Sequence, residues 1–180
     1  RPTRNWQIYT IMSTSVIDLF NYRRRAASVV HVGAIDMGGD NPIRIQSMTT
    51  TNTNDTDGCV AQAERIIRAG GELVRLTTQG SREAENLKNI NAGIRADGYD
   101  TPLVADIHFN PHVADVAALY AEKVRINPGN YVDPARKFIH QEYTDEEYAQ
   151  ELRKIEERFI PFLDICRAHH TAIRIGVNHG

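Results

Sequence analysis

Three arginines, Arg75, Arg125 and Arg174, stand at equivalent positions in three short segments that alternate between apolar and polar residues. One carboxylate, Asp106, falls at the corresponding phase of a fourth segment. A guanidinium group is costly to bury without a counter-charge, so three cations beside one carboxylate leave an excess of positive charge. Guanidinium groups bind phosphate oxygens through paired hydrogen bonds. The pattern favours a diphosphate ligand, although carboxylates on strands beyond this chain could pair with the arginines instead.

A polar turn follows the second of these arginines, in the string Arg-Ile-Asn-Pro-Gly-Asn from Arg125 to Asn130. Asn127 and Asn130 supply amide side chains, and Gly129 allows backbone amides to approach an anion closely. An ordinary turn after a strand would explain the proline and the glycine. It would not explain two asparagines beside an arginine, so we include Asn127 and Asn130 in the predicted binding site.

Asp106 and His108 are two residues apart, so a strand would present both side chains on one face. Such a pair could contact the substrate or transfer a proton, could supply half of a metal site, or could be structural. Two ligands do not complete a metal site, and we assign no residue to a chemical step. Two other functions stay open: a metal-dependent barrel hydrolase that uses Asp106 and His108, and a non-catalytic phosphate-binding module.

Five β-rich segments must position these residues, and amphipathic stretches typical of helices separate them. The segments are 43–49, 73–77, 103–108, 123–127 and 172–178. In all five segments, alternate residues form one apolar set and one largely polar set, which a strand would present on opposite faces. A sheet with helices on both faces would be apolar on both. In a (β/α)8 barrel one face of each strand meets the helices and the other fills the lumen. We therefore expect a TIM-type α/β barrel, of which this chain holds about the first five β/α units.

Capping residues mark where the helices between these strands begin. The expected starts are Asp55 or Thr56, Ser81, Asn110 with Pro111, and Thr144 in a capping box with Glu147. We expect Pro161 to kink or end the last helix, because proline lacks a backbone donor. Upstream of the strands, a small hairpin that turns at Gly33 is expected to plug the floor of the barrel.

The composition is that of a globular protein, with 180 residues, 41% of them hydrophobic, and a formal net charge of -2. This balance predicts no extended basic surface for nucleic acid. No apolar run approaches the roughly 18 residues of a membrane span. The two cysteines, Cys59 and Cys166, cannot form a disulfide framework, which suits a reducing cytoplasm. We expect residues 1–17 to be a disordered extension and residues 18–180 to form the amino-terminal part of the barrel.

Five sequence strings together resemble a known family. They are Ile-Gln-Ser-Met-Thr at 45–49, Val-Arg at 74–75, Pro-Leu-Val-Ala-Asp-Ile-His-Phe at 102–109, Val-Arg-Ile-Asn-Pro-Gly-Asn at 124–130 and Ile-Arg-Ile-Gly-Val-Asn at 173–178. In this order they resemble the amino-terminal barrel of the 4-hydroxy-3-methylbut-2-enyl diphosphate synthases, oxidoreductases of the methylerythritol phosphate route to isoprenoids. The resemblance runs from about Leu19 to the last residue. The long connection between the fourth and fifth strands indicates the larger form of the family, which carries an inserted domain.

The resemblance implies a reaction as well as a fold. In the family, the barrel binds 2-C-methyl-D-erythritol 2,4-cyclodiphosphate, and a carboxyl-terminal domain holds a 4Fe-4S cluster through three cysteines and a glutamate. The cluster delivers two electrons from reduced flavodoxin or ferredoxin, which open the ring and remove an oxygen as water. By position, the residues implied to hold the diphosphate are Arg75, Arg125, Arg174 and Asn178, and those implied to line the pocket are Asp106, His108, Asn127 and Asn130.

Neither Cys59 nor Cys166 matches the cluster-binding motif of the family. The inserted domain, the iron-sulfur domain and the cluster ligands are therefore expected outside this chain, which by itself is expected to be inactive. The resemblance implies a small-molecule diphosphate and an electron donor as partners, allows a homodimer, and gives no role to nucleic acid or membrane.

Overall fold

The computed structural model describes residues 26–107, 109–131 and 143–176 of the protein. The expected extension over residues 1–17 lies outside this part, as do two predicted site residues, His108 and Asn178. The first described element is an antiparallel hairpin of β1 (Val30–Val32) and β2 (Ile35–Met37). It turns at Gly33, as predicted, where the backbone adopts a φ of +54° that favours glycine.

Five parallel strands form a single sheet in which each strand lies beside its neighbour in the sequence. They are β3 (Gln46–Met48), β4 (Leu73–Thr77), β5 (Leu103–Asp106), β6 (Lys123–Ile126) and β7 (Ala172–Ile175). Parallel neighbours require a crossover connection, and helices provide it between these strands. Sequential parallel strands alternating with helices are the architecture of a partial α/β barrel, which confirms the predicted fold class.

The described residues between the strands form four α-helices: α1 (Thr56–Arg68), α2 (Ser81–Ala96), α3 (Pro111–Ala117) and α4 (Asp145–His169). Asp55 caps α1, Asn110 caps α3, and Thr144 forms the predicted capping box with Glu147 at the start of α4. The prediction that Ser81 caps α2 is wrong. Gly80 takes the cap position in an extended conformation, which glycine tolerates well, and it makes no side-chain cap hydrogen bond. The carboxylate of Glu83 in the first turn accepts a hydrogen bond from the Gly80 backbone N–H. None of the helices in the described segments is long and apolar enough to cross a membrane.

Pro161 does not end the last helix, because α4 continues through it to His169; the alternative, a kink at Pro161, stays a prediction. The reason is tertiary packing. Phe162 and Cys166, one and five residues beyond the proline, are buried in the main core. Their burial offsets the loss of one backbone hydrogen bond at Pro161.

The helices cover one face of the sheet, and the apolar phase of the strands lies against them. The strand residues buried in this core include Val74, Leu76, Leu103, Ala105, Val124 and Ile126. Ile43 and Ile45 were expected on the same face within the first strand. They instead precede β3, an edge strand of the described sheet that has a neighbouring strand on one side only, and they are 83% and 61% exposed.

The opposite face of the sheet is closed at its floor by the hairpin. Val32 of β1 packs with Leu73, Val104 and Ala172, which lie at or near the amino ends of their strands. Ile35 and Met37 of β2 pack against the same cluster. The hairpin therefore lies where the sequence predicted it, and the polar side chains nearer the carboxyl ends of the strands lie above an apolar floor.

Candidate functional site

A row of polar side chains crosses the lumen face of the sheet toward the carboxyl ends of the strands. Thr77 pairs in register with Asp106, Asp106 with Arg125, and Arg125 with Arg174. Residues paired across parallel strands project from the same face, and neighbouring strands are about 4.8 Å apart. Arg75 lies two residues before Thr77 on β4 and therefore projects from the same face. The sheet thereby brings together four predicted site residues: Arg75, Asp106, Arg125 and Arg174.

Asp106 lies between two of the arginines and is almost completely buried, with 2% of its side chain exposed. Its Oδ2 accepts a hydrogen bond from Nη2 of Arg75. Its Oδ1 lies 3.7 Å from Nη1 of Arg125, whose side chain is 9% exposed. One buried carboxylate thus orients two guanidinium groups and neutralises only part of their charge.

Arg125 is also held by a glycine on the neighbouring strand end. A Cβ atom added to Gly176 would lie 2.2 Å from Nε and 2.8 Å from Cζ of Arg125, so the guanidinium packs directly on the glycine backbone. The N–H of Gly176 donates a hydrogen bond of 2.8 Å to the carbonyl oxygen of Ile126, which keeps this backbone in the sheet. Gly176 was not among the predicted site residues, although a glycine within a strand is a known signal of close backbone approach.

Lys123 is a fourth cation on the lumen face that the sequence reasoning missed. It begins β6, two residues before Arg125, and is only 8% exposed. Burial lowers the pKa of the Lys123 ammonium, and the positive charges of Arg174 and Arg75 lower it further. The alternation of side chains along β6 was the available signal, because it assigns Lys123 and Arg125 to one face.

The balance of charge on this face is strongly positive. On this face, one carboxylate, Asp106, is accompanied by four cations: Arg75, Lys123, Arg125 and Arg174. The described residues of the face therefore carry a surplus of three positive charges when Lys123 is protonated. Arg174 is exposed on this face. The Nε of Arg75 is buried and has no hydrogen-bond acceptor among the described residues. A donor of this kind in a cationic cleft favours an anionic ligand.

The turn after β6 is a short 3-10 helix over Pro128–Tyr131. Asn127 is partly buried, and its Oδ1 accepts a hydrogen bond of 3.2 Å from the N–H of Gly129. This bond uses the amide oxygen of Asn127 to shape the turn and orients its NH2 group, which can donate to a ligand. Asn130 lies in the same turn at the carboxyl end of the sheet.

Two side chains from the helices hold the loop that follows β3. Oε1 of Gln62 accepts hydrogen bonds of 3.0 Å from the backbone N–H groups of both Thr50 and Thr51. Nδ2 of Asn86 donates to the carbonyl oxygen of Thr53 at 2.7 Å. The rim of the lumen after β3 is therefore supported by side chains from outside the lumen. Local sequence patterns do not reveal these contacts.

A comparison with protein families agrees with this geometry. The family described as the GcpE TIM-barrel domain matches residues 27–180. The chain belongs to this family.

Three similar curated relatives carry a common name. A protein of Phocaeicola vulgatus is 75% identical over 91% of this chain and 27% of its own length, and one of Bacteroides fragilis is 71% identical over 91% of this chain and 26% of its own length. One of Chlorobaculum tepidum is 47% identical over 94% of this chain and 23% of its own length. All three are named 4-hydroxy-3-methylbut-2-en-1-yl diphosphate synthase (flavodoxin). The chain spans about a quarter of the length of these relatives.

The cysteines of this GcpE barrel do not fit an iron-sulfur cluster. Burial raises the pKa of the Cys59 thiol to about 11, and the charge of Asp55 adds to the effect. Burial likewise raises the pKa of Cys166 to about 12, with a contribution from Asp115. Cluster binding requires thiolates, and no three His, Cys, Asp or Glu side chains within the described ranges come together as metal ligands.

Proposed function

We propose that this chain is the substrate-binding barrel of a 4-hydroxy-3-methylbut-2-en-1-yl diphosphate synthase. The full-length protein would bind 2-C-methyl-D-erythritol 2,4-cyclodiphosphate and open its ring reductively. The single observation that carries this proposal is the surplus of positive charge on the lumen face, where the three guanidinium groups of Arg75, Arg125 and Arg174 face the one carboxylate of Asp106, which fits a diphosphate group. Family membership and the shared name of the relatives, which refers to a diphosphate, support a diphosphate ligand.

The proposed roles follow the positions of the side chains. Arg75, Arg125 and Arg174 would bind the diphosphate oxygens, and Asp106 would orient the first two. Asn127 would line the pocket through its NH2 group. Asn130, His108 and Asn178 remain proposed pocket residues on the strength of the family resemblance.

The name of the relatives supports flavodoxin as the electron donor, and ferredoxin is the alternative that the family resemblance allows. We propose that the 4Fe-4S cluster of the full-length protein takes its ligands from residues outside this chain, since Cys59 and Cys166 are buried thiols. The proposed organisation is an extension at 1–17, the barrel part at 18–180, and separate inserted and iron-sulfur domains. A cytoplasmic location is consistent with two free cysteines.

A metal-dependent hydrolase is not favoured. Asp106 would have to bind the cation, yet its oxygens face the guanidinium groups of Arg75 and Arg125. A divalent cation at this position would also meet the charge of Lys123 on the same face. The electrostatics of the lumen select anions.

The proposal is tested by the affinity of the full-length protein for the cyclodiphosphate, measured by isothermal titration calorimetry. Arg125→Lys keeps the charge but loses the paired hydrogen bonds, each worth about 1.5–3 kcal/mol. We expect the dissociation constant to rise at least about tenfold. The matched control is Arg153→Lys on the exposed surface of α4. An unchanged dissociation constant for Arg125→Lys would place Arg125 outside the site.

A further inference from the structure

Lys123 is a buried lysine on the lumen face to which the roles above assign nothing. It pairs in register with Val104 on β5 and with Ala172 on β7, near the apolar floor. Arg125 projects from the same face two residues later, which is about 6.6 Å along the strand. Lys123 therefore lies directly below the arginine that the diphosphate would contact.

The groups that face Lys123 from β2, β4 and β7 are neutral or positive. Met37 on β2 places its Sδ 3.5 Å from Nζ of Lys123. Arg75 on β4 and Arg174 on β7 both interact with Lys123 as like charges. Burial destabilises the ammonium form of Lys123 most, and the like charges of Arg174 and Arg75 add to the effect.

The carboxylates on neighbouring elements are engaged elsewhere. Asp106 on β5 pairs with Arg75 and lies at ion-pair distance from Arg125. Asp36 on β2 pairs with His31 in the exposed hairpin. Within the described residues, no carboxylate lies within ion-pair distance of Lys123.

We propose that Lys123 is an additional binding residue of the diphosphate site, which supports the anion from the floor of the lumen and takes up a proton when the anion binds. The proposal rests on the proposed function, because it requires an anion above Lys123. A bound diphosphate brings negative charge to the cluster of cations, and this charge favours the protonated form of a nearby amine. Proton uptake and anion binding are then linked, and each strengthens the other.

The test is titration calorimetry of the full-length protein with inorganic pyrophosphate, between pH 7.5 and 9.5, in two buffers of different ionisation enthalpy. The difference in heat between the buffers gives the number of protons taken up on binding. Lys123→Met removes the charge, keeps a side chain of similar length and packs an apolar group beside Met37. The matched control is Lys88→Met, which removes the same charge from the exposed surface of α2.

Pyrophosphate releases a proton of its own in this pH range, so the proton on Lys123 is measured as a difference: the wild-type protein should take up more protons than Lys123→Met, and this additional uptake should grow as the pH rises. Lys123→Met should lose this uptake and bind pyrophosphate about tenfold more weakly at pH 7.5, while Lys88→Met should behave like the wild type. Equal proton uptake by Lys123→Met and the wild type would overturn the role of Lys123 and leave diphosphate binding intact. A wild-type protein that binds no pyrophosphate would overturn the proposed function itself.

The melting temperature of Lys123→Met gives an independent measurement. Replacing a buried cation that lacks a counter-charge with an apolar side chain of similar volume should maintain or raise the stability of the barrel. A clearly lower melting temperature would show that Lys123 serves the fold rather than the ligand, and would count against the proposal.

Discussion

Gly176→Ala should displace the guanidinium of Arg125 and weaken diphosphate binding. The new Cβ would lie 2.2 Å from Nε, 2.7 Å from Nη2 and 2.8 Å from Cζ of Arg125. A Cβ atom essentially never lies closer than 3.0 Å to another atom and has ordinary contacts from 3.4 Å, so Nε must retreat from 2.2 Å by at least 0.8 Å, and by 1.2 Å to reach an ordinary contact. The hydrogen bond from Gly176 to Ile126 opposes a compensating shift of the backbone.

The size of the effect follows from the geometry of a charge-assisted hydrogen bond. A typical bond of about 2.8 Å that lengthens by about 0.8 Å or more exceeds the limit for hydrogen bonding. Losing one such bond costs about 1.5–3 kcal/mol. The dissociation constant for a diphosphate should therefore rise about 10-fold to 100-fold.

A double-mutant cycle separates this mechanism from general damage to the strand. Calorimetry with pyrophosphate would compare Gly176→Ala, Arg125→Ala and the double variant in the full-length protein. If the alanine acts by displacing the guanidinium, Gly176→Ala should add little once Arg125 has been removed. Gly80→Ala is the control, because a Cβ at Gly80 would have no atom within 4 Å. Wild-type affinity in Gly176→Ala, or fully additive losses in the double variant, would refute the reasoning.

Other perturbations have equally definite outcomes. Asp106→Asn should cost about 3 kcal/mol of unfolding free energy in a denaturant titration, because Arg75 and Arg125 lose their shared counter-charge; a loss below about 1 kcal/mol would contradict this role. The thiols of Cys59 and Cys166, with pKa values raised to about 11 and about 12, should react with iodoacetamide at pH 8 on the order of 100-fold more slowly than a free thiol. These thiols hold their protons more tightly in the folded protein than in the unfolded chain, so their contribution to stability should be complete below about pH 8.5. It should disappear as the pH rises toward about 11 for Cys59 and about 12 for Cys166, which a series of melting curves would detect. Reconstitution of this chain with iron and sulfide should give no visible cluster absorption, since neither buried cysteine is poised to bind metal, and a stable brown species would show the opposite.

The order of the strands and the assignment of their faces could be predicted from the sequence because both depend on local patterns. Alternation along a strand determines which side chains share a face, and it correctly separated Val74 and Val124 from Arg75 and Arg125. Asp55, Asn110 and Thr144 cap their helices through contacts a few residues away, so local sequence was sufficient for them as well.

Tertiary packing decided the features that depend on residues distant in the chain. Pro161 remains inside a helix because Phe162 is buried against the sheet, which outweighs the local preference of proline. The contact of Arg125 with Gly176 and the burial of Lys123 beneath Arg75 and Arg174 arise only when β4, β6 and β7 are brought side by side. The sequence alone determined that cations line the lumen, since residue type and phase are local properties. How strongly those cations are buried, and which of them share the carboxylate of Asp106, depended on the register of neighbouring strands, because electrostatic interactions in a protein depend on distance and on exclusion of water.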